Sequence, residues 1–306
     1  MAQPQTAICA EGENFGIFIT ALATDRPDAA AIIRSTAARL HQLTADMAAR
    51  LGEPALSAAI GFGAEIWPSL FGAARPAELA PFEALAQGPR RAPATPADLF
   101  IHVHSGRQDA NFVLARAVMG ALGEAVRVVE EVHGFKYLGG RDLTGFVDGT
   151  ENPKGDERPG VALVGDEDAD FAAGSYVSLQ RYVHNLAPWD ALPVHAQEQA
   201  VGRTKEDDEE LDDDAKPASA HIARVVIEED GEELEVLRHS LPYGTTSEHG
   251  LYFVAYGRTP TTFRKMLERM VMADGDGAYD RLLDFTTPVT GASFFVPSVD
   301  FLAAKA

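Results

Sequence analysis

Apolar and polar positions along the chain fall into two passes of one order. Residues 15–23 form a β-like apolar run, and Ala30, Ile33, Ala37, Leu40, Leu43, Met47 and Leu51 recur at helical spacing within 27–51. The stretch 56–63 predicts a strand, the Pro-rich 88–98 a loop, and 99–106 a further strand. Asp109 caps a predicted helix running to about 123, and "VRVVEEVHGF" returns as a strand. This β-α-β-β-α-β order is the split βαβ, or ferredoxin-like, unit.

After a turn-rich stretch the order recurs. Residues 174–186 predict a strand, 188–200 a helix, and 220–230 a strand ending at the Gly231 turn. "GLYFVAYGR" (250–258) is the next strand, Thr259-Pro260 opens a helix to about 273, and 289–297 close the pass as a strand. The expectation is an α+β chain of two ferredoxin-like halves with antiparallel sheets in a dimeric α+β barrel-like arrangement. The N-terminal half takes 1–144 and the C-terminal half 145–306.

Composition narrows the partners. With 46 acidic against 26 basic side chains and a formal charge of -20, the surface repels phosphate backbones and anionic membranes. No apolar run approaches the ~20 residues that a membrane span requires. The run at 15–23 lacks the basic flank of a signal peptide, so a cytoplasmic location is expected. The single cysteine, Cys9, excludes an internal disulfide and any cysteine-based metal or iron–sulfur site. Eight acids crowd the nine positions 206–214, which predicts a solvated segment.

Candidate chemistry concentrates in a few strings. "GFVDGTENP" (145–153) brings a lone carboxylate, Asp148, between turn-forming residues after the apolar Phe146 and Val147. A solvated loop aspartate is the simple reading. Nine histidines include no pair with zinc-protease spacing. His102 and His104 share one face of a strand and fit two polar contacts, since no third ligand lies near them in sequence. His221 opens an alternating segment beside Ala223, Val225 and Ile227, where a hydrogen-bonded core histidine is the commoner role than a metal ligand. In "LRHSLPYGT" (237–245), Arg238 and Ser240 share one face and Leu237, His239 and Leu241 the other. An arginine there fits a surface ion pair.

In combination, "GFVDGTENP", "GRTK" (202–205), "AHIARVVI" and "RHSLPYG", in this order on a duplicated ferredoxin-like frame, resemble the dye-decolourising peroxidases. The likeness is greatest to their short, cytoplasmic bacterial branch. It also takes in "IGFGAEIWPSLFG" (60–72) and "DFTTPVTGASFFVPS" (284–298).

The resemblance implies haem b held in the second half, with His221 as the proximal iron ligand and Asp148 and Arg238 on the distal face. It implies that hydrogen peroxide is reduced through a ferryl–porphyrin radical, which then oxidises dyes, phenolics or other small one-electron donors. Asp148 would serve as base and then acid, Arg238 would stabilise charge on the departing oxygen, and Ser240 would hold a distal water or the peroxide. A ligating histidine needs an acceptor for its second ring nitrogen, and Asp284 matches the family's acidic partner, although a loop-end aspartate fits there as well. Arg203 matches a haem-propionate partner. Val147, Gly149, Thr150, Glu151, His184, Leu251 and Phe253 would wall the pocket. Relatives assemble, so a homo-oligomer is expected.

Two departures stand out. Ser240 replaces the family's asparagine, which bears on the rate of peroxide cleavage. The sequence also runs only eight residues past Ser298, so the tail that directs some members into protein nanocompartments is not expected. The competing readings are a non-catalytic haem carrier, a protein that releases iron from haem, and a haem-free α+β binding module. Burying both Asp148 and Arg238 would bring a carrier nothing, because their desolvation is costly.

Overall fold

The computed structural model describes residues 2–12 and 14–306. Its first half contains β1 (Phe15–Ala23), α1 (Ala29–Leu51), β2 (Ser57–Phe62), β3 (Leu99–Ser105), α2 (Gln108–Leu122) and β4 (Val126–Phe135). Its second half contains β5 (Ser175–His184), α3 (Val194–Val201), α4 (His221–Val225), β6 (Leu241–Gly244), β7 (His249–Gly257), α5 (Thr261–Val271) and β8 (Ala292–Val296). The first sheet runs β4-β1-β3-β2 and the second β8-β5-β7-β6, every neighbouring pair antiparallel. Each is the ferredoxin-like order.

The two sheets close on each other. One seam pairs Tyr243 with Gly134, and the other pairs Phe295 with Phe62. Gly134 permits the first seam, because a Cβ there would meet the Cβ of Leu241 at 2.6 Å. The result is one eight-membered ring of strands, closed at each of the two seams by a single bridge pair.

Period-2 alternation decides which side chains enter the ring. Phe18, Phe100, Val177, Leu179, Tyr252, Val254, Tyr256 and Phe294 fill the interior. Outside the first sheet, Ile17, Ile19, Ile60, Ile101 and Val103 pack beneath Ile33, Leu40 and Met47 of α1 and Leu114 and Val118 of α2. Each fully buried aliphatic side chain contributes roughly 1.5–3 kcal/mol of transfer free energy.

Three expectations need correction. Residues 221–225 are a short helix, and only 228–229 form a strand within the predicted strand 220–230. Arg224 accounts for this: turned inward, it donates to the Arg269 carbonyl of α5 and pairs with Asp274, which a strand would not position. The helix predicted over 188–200 is two pieces, Leu186–Asp190 and α3, interrupted before Pro193. The predicted loop 88–98 holds a short strand, Arg90–Ala92, paired with Leu85–Gln87.

Candidate active site

The loop that delivers Asp148 is anchored from beneath. Phe146 is buried against Trp189, Ala200 and Val201, and the Trp189 indole N–H donates to the Thr144 carbonyl. The Asp148 amide donates to the Gly140 carbonyl, while Arg141 bridges Val147. Gly149 follows at φ 86°, a left-handed backbone that a side chain would strain. The carboxylate is therefore set by a buried aromatic on one side and a tight glycine turn on the other.

Arg238 arrives from the outer face of the second sheet, where Leu237 and His239 point into the ring and Arg238 and Ser240 point out. Its Nη1 donates to Asp148 Oδ1 at 3.1 Å. Asn152 fastens the two segments together: its Oδ1 accepts from the Arg238 amide at 2.8 Å and its Nδ2 donates to the Arg238 carbonyl at 3.0 Å. Ser240 Oγ accepts from the Val254 amide at 3.3 Å. Burial pushes the Asp148 carboxyl up from its ordinary value, opposed by Arg238 and His221 and reinforced by Asp142.

His221 starts α4, and its Nδ1 lies 2.6 Å from Oδ2 of the fully buried Asp280. The expected partner, Asp284, is displaced from this role; its Oδ1 instead accepts from the Tyr279 hydroxyl at 3.1 Å. Asp280 caps the turn Arg281–Asp284, its Oδ1 accepting from the Leu282 amide, which leaves Oδ2 for the imidazole. Asp284 sits at the far end of that turn. Sequence reasoning missed both Asp280 and Asn152. The spacing "YDRLLD" carries two candidates one turn apart, and Asn152 lies inside the string already singled out.

The remaining candidates divide. Val147, Asp148, Gly149, Arg238 and Ser240 line one cavity of about 280 Å³. Leu251 and Phe253 stand on the outer face of β7, where Phe253 stacks on Phe263. Arg203 pairs with Glu151 and Asp208, and Thr150 donates to Asp208. The acidic run is solvated as expected: among its acids only Asp208 is half-buried, and Glu210 stays exposed while pairing with Lys216. His184 lies between Asp142 and the Thr286 hydroxyl. No group of three or more metal-ligating side chains is present among the described residues.

Two ferredoxin-like halves closed into one ring, with an aspartate–arginine pair and a carboxylate-held histidine in the second half, match a defined class. Family models described as Dyp-type peroxidase, N-terminal and C-terminal, match residues 5–136 and 139–301. The chain is 45% identical over 285 residues to a dye-decolorizing peroxidase of Mycobacterium tuberculosis, covering 92% of this chain and 85% of that one. A Dyp-type peroxidase structure from Shewanella oneidensis superposes with a TM-score of 0.95 at 42% identity, over 99% of both chains. An arginine-to-leucine variant of Rhodococcus jostii DypB, solved in complex with heme, gives 0.94 at 39% identity over 99% of both. The chain belongs to the Dyp-type peroxidase family, and is an oxidoreductase of the peroxidase class.

Proposed function

We propose that this chain binds haem b against the outer face of its second sheet and reduces hydrogen peroxide at the expense of small one-electron donors. The observation that carries this reading is the contact of His221 Nδ1 with buried Asp280 at 2.6 Å. A carboxylate there fixes the tautomer and leaves Nε2 as a basic ligand for iron. The haem-bound relative adds weight by similarity.

Haem supplies the redox iron that takes up the two oxidising equivalents of peroxide. The chain supplies proton handling and charge. Asp148, once ionised, accepts a proton from the entering peroxide and returns it to the outer oxygen as water departs. Arg238 meets the negative charge that grows on that oxygen and stays cationic throughout. Asn152 keeps the guanidinium in register with the carboxylate, and Ser240 offers a hydroxyl beside them. Arg203 is the proposed propionate partner, exchanging part of its pairing with Glu151. Val147, Gly149, Thr150, Glu151, His184, Leu251 and Phe253 are the proposed walls.

We place the division between halves at 144/145, with haem in the second. No helix among the described residues is long and apolar enough to cross a membrane, and a cytoplasmic location remains part of this proposal. A homo-oligomer is expected, and light scattering returning a mass near 32.8 kDa at micromolar protein would contradict it.

The test is turnover. Haem-loaded protein given peroxide and a phenolic or dye donor should oxidise the donor catalytically. Haem breakdown with iron release and no donor oxidation would instead favour the iron-releasing alternative, and unreactive bound haem the carrier.

A further inference from the structure

The ring interior holds a cluster that the peroxide chemistry leaves unused. His102, His104 and His239 are all buried, at 1%, 3% and 7% exposure. His102 and His104 stack at 4.7 Å between ring centroids, and Phe18 and Tyr252 continue the stack on the other side at 4.9 and 4.6 Å. The Tyr256 hydroxyl lies 3.0 Å from His102 Nδ1. Among the described residues, His102 Nε2 and His104 Nε2 have no hydrogen-bond partner. Both histidines line the same 280 Å³ cavity as Asp148, Arg238 and Ser240. A cavity with polar walls of this kind suits water rather than apolar filling.

We propose that Tyr256 is an internal electron donor of this site, oxidised to a neutral tyrosyl radical during peroxide reduction, with His102 Nδ1 taking its phenolic proton. The inference rests on the peroxidase reading above. Complete reduction of one hydrogen peroxide to two waters takes two electrons and two protons. Tyr256 supplies one of each as its O–H bond breaks. A reducing substrate supplies the second pair and afterwards restores the phenol. His102 gives up a proton from Nε2 into the cavity that Asp148 also lines.

Position and chemistry select this tyrosine. Tyr256 pairs with Leu237 in the sheet, its neighbour Ala255 pairs with Arg238, and its ring packs edge-on against His239 at 5.4 Å. Loss of an electron from phenol makes it strongly acidic, so a neutral base must already be in hydrogen-bond contact. Burial keeps His102 neutral, its pKa driven well below the ordinary imidazole value with help from His104 and His239. The other buried tyrosines lack such a base. Tyr252 has a hydroxyl without a partner among the described residues, Tyr176 accepts from the Glu78 amide, Tyr182 donates to the Gln180 side-chain oxygen, and Tyr243 donates to a backbone carbonyl.

The test is electron paramagnetic resonance on holoenzyme frozen after one equivalent of peroxide with no donor, with the optical spectrum taken on the same samples. Wild type should give a tyrosyl signal that narrows when tyrosine is ring-deuterated. Tyr256→Phe should lose that signal while keeping the peroxide-induced optical change, and Tyr252→Phe should keep both. His102→Gln, which retains an acceptor but no base, should also lose the radical. A full tyrosyl signal in Tyr256→Phe overturns the proposal, as does a wild type that changes optically without forming any tyrosyl radical. A wild type whose optical spectrum ignores peroxide overturns the peroxidase reading together with it.

Discussion

The two halves share one sheet order and differ in what covers the outer face. In the first half, helices of 23 and 15 residues lie over Ile17, Ile19, Ile60, Ile101 and Val103, and side chains fill the whole interface. In the second, α3 and α5 span 8 and 11 residues, and the sheet presents Ser178, Gln180, Tyr182, Arg238 and Ser240 outward. The loop carrying Asp148 and the short helix carrying His221 complete the cover. A duplicated frame thus carries long packed helices over one sheet and, over the other, the short elements that bear the proposed site. In that proposal the chemistry belongs to the second cover rather than to the fold.

The largest expected difference is at Arg238. Arg238→Leu should lower the bimolecular rate of peroxide with the resting ferric enzyme by ~10²-fold or more, the scale of one lost charge-stabilising donor. Stopped-flow absorption reads it directly. Asp148→Asn should lower the same rate less, a distal water relaying the proton. A larger loss in Asp148→Asn would make the carboxylate the principal catalyst.

The pH profile sharpens this division. Burial raises the Asp148 pKa, so its basic form is lost at pH values where a free aspartate, with a pKa of about 3.9, is still ionised. The wild-type peroxide rate should therefore fall on acidification through that raised pKa. The same step should vanish in Asp148→Asn. A step that persists in the variant assigns the titration elsewhere.

A smaller effect is expected at the outer partner of His221. Asp280→Asn should speed haem loss about tenfold, within the range for losing a metal ligand's hydrogen-bond partner. The ferric spectrum should shift with it, and transfer of haem to apomyoglobin measures the rate. Asp284→Asn should leave both unchanged, and equal effects of the two substitutions would undo the assignment. Leu114→Ala, under α2 in the first half, should cost ~2–5 kcal/mol of stability by denaturant titration while leaving the haem spectrum unaltered.

Where the sequence was legible, burial did the writing. The long strands alternate and α1 and α2 keep helical spacing because each buries one face, so the first half's ferredoxin-like order could be read directly, whereas in the second half the place expected for 220–230 is taken by β6, Leu241–Gly244. Asp148 and Arg238 were legible through their strings, and they meet at 3.1 Å. Short elements were not legible. Five residues from His221 read equally as strand or helix, and Arg224's contacts with α5 decide between them. The choice between Asp280 and Asp284 depends on which end of a single turn faces α4, a tertiary fact. His102 and His104 looked like isolated polar contacts because their third companion, His239, lies far along the chain and joins them only when the ring closes.

The central claim is that the second sheet's outer face is reserved for haem and that His221 holds the iron. Its most direct test is the haem-to-protein ratio and Soret absorption of His221→Ala, purified beside the wild type from haem-supplemented cells. The account predicts a folded protein with circular dichroism like the wild type but without normally bound haem. Full haem incorporation with an unchanged Soret band would contradict it.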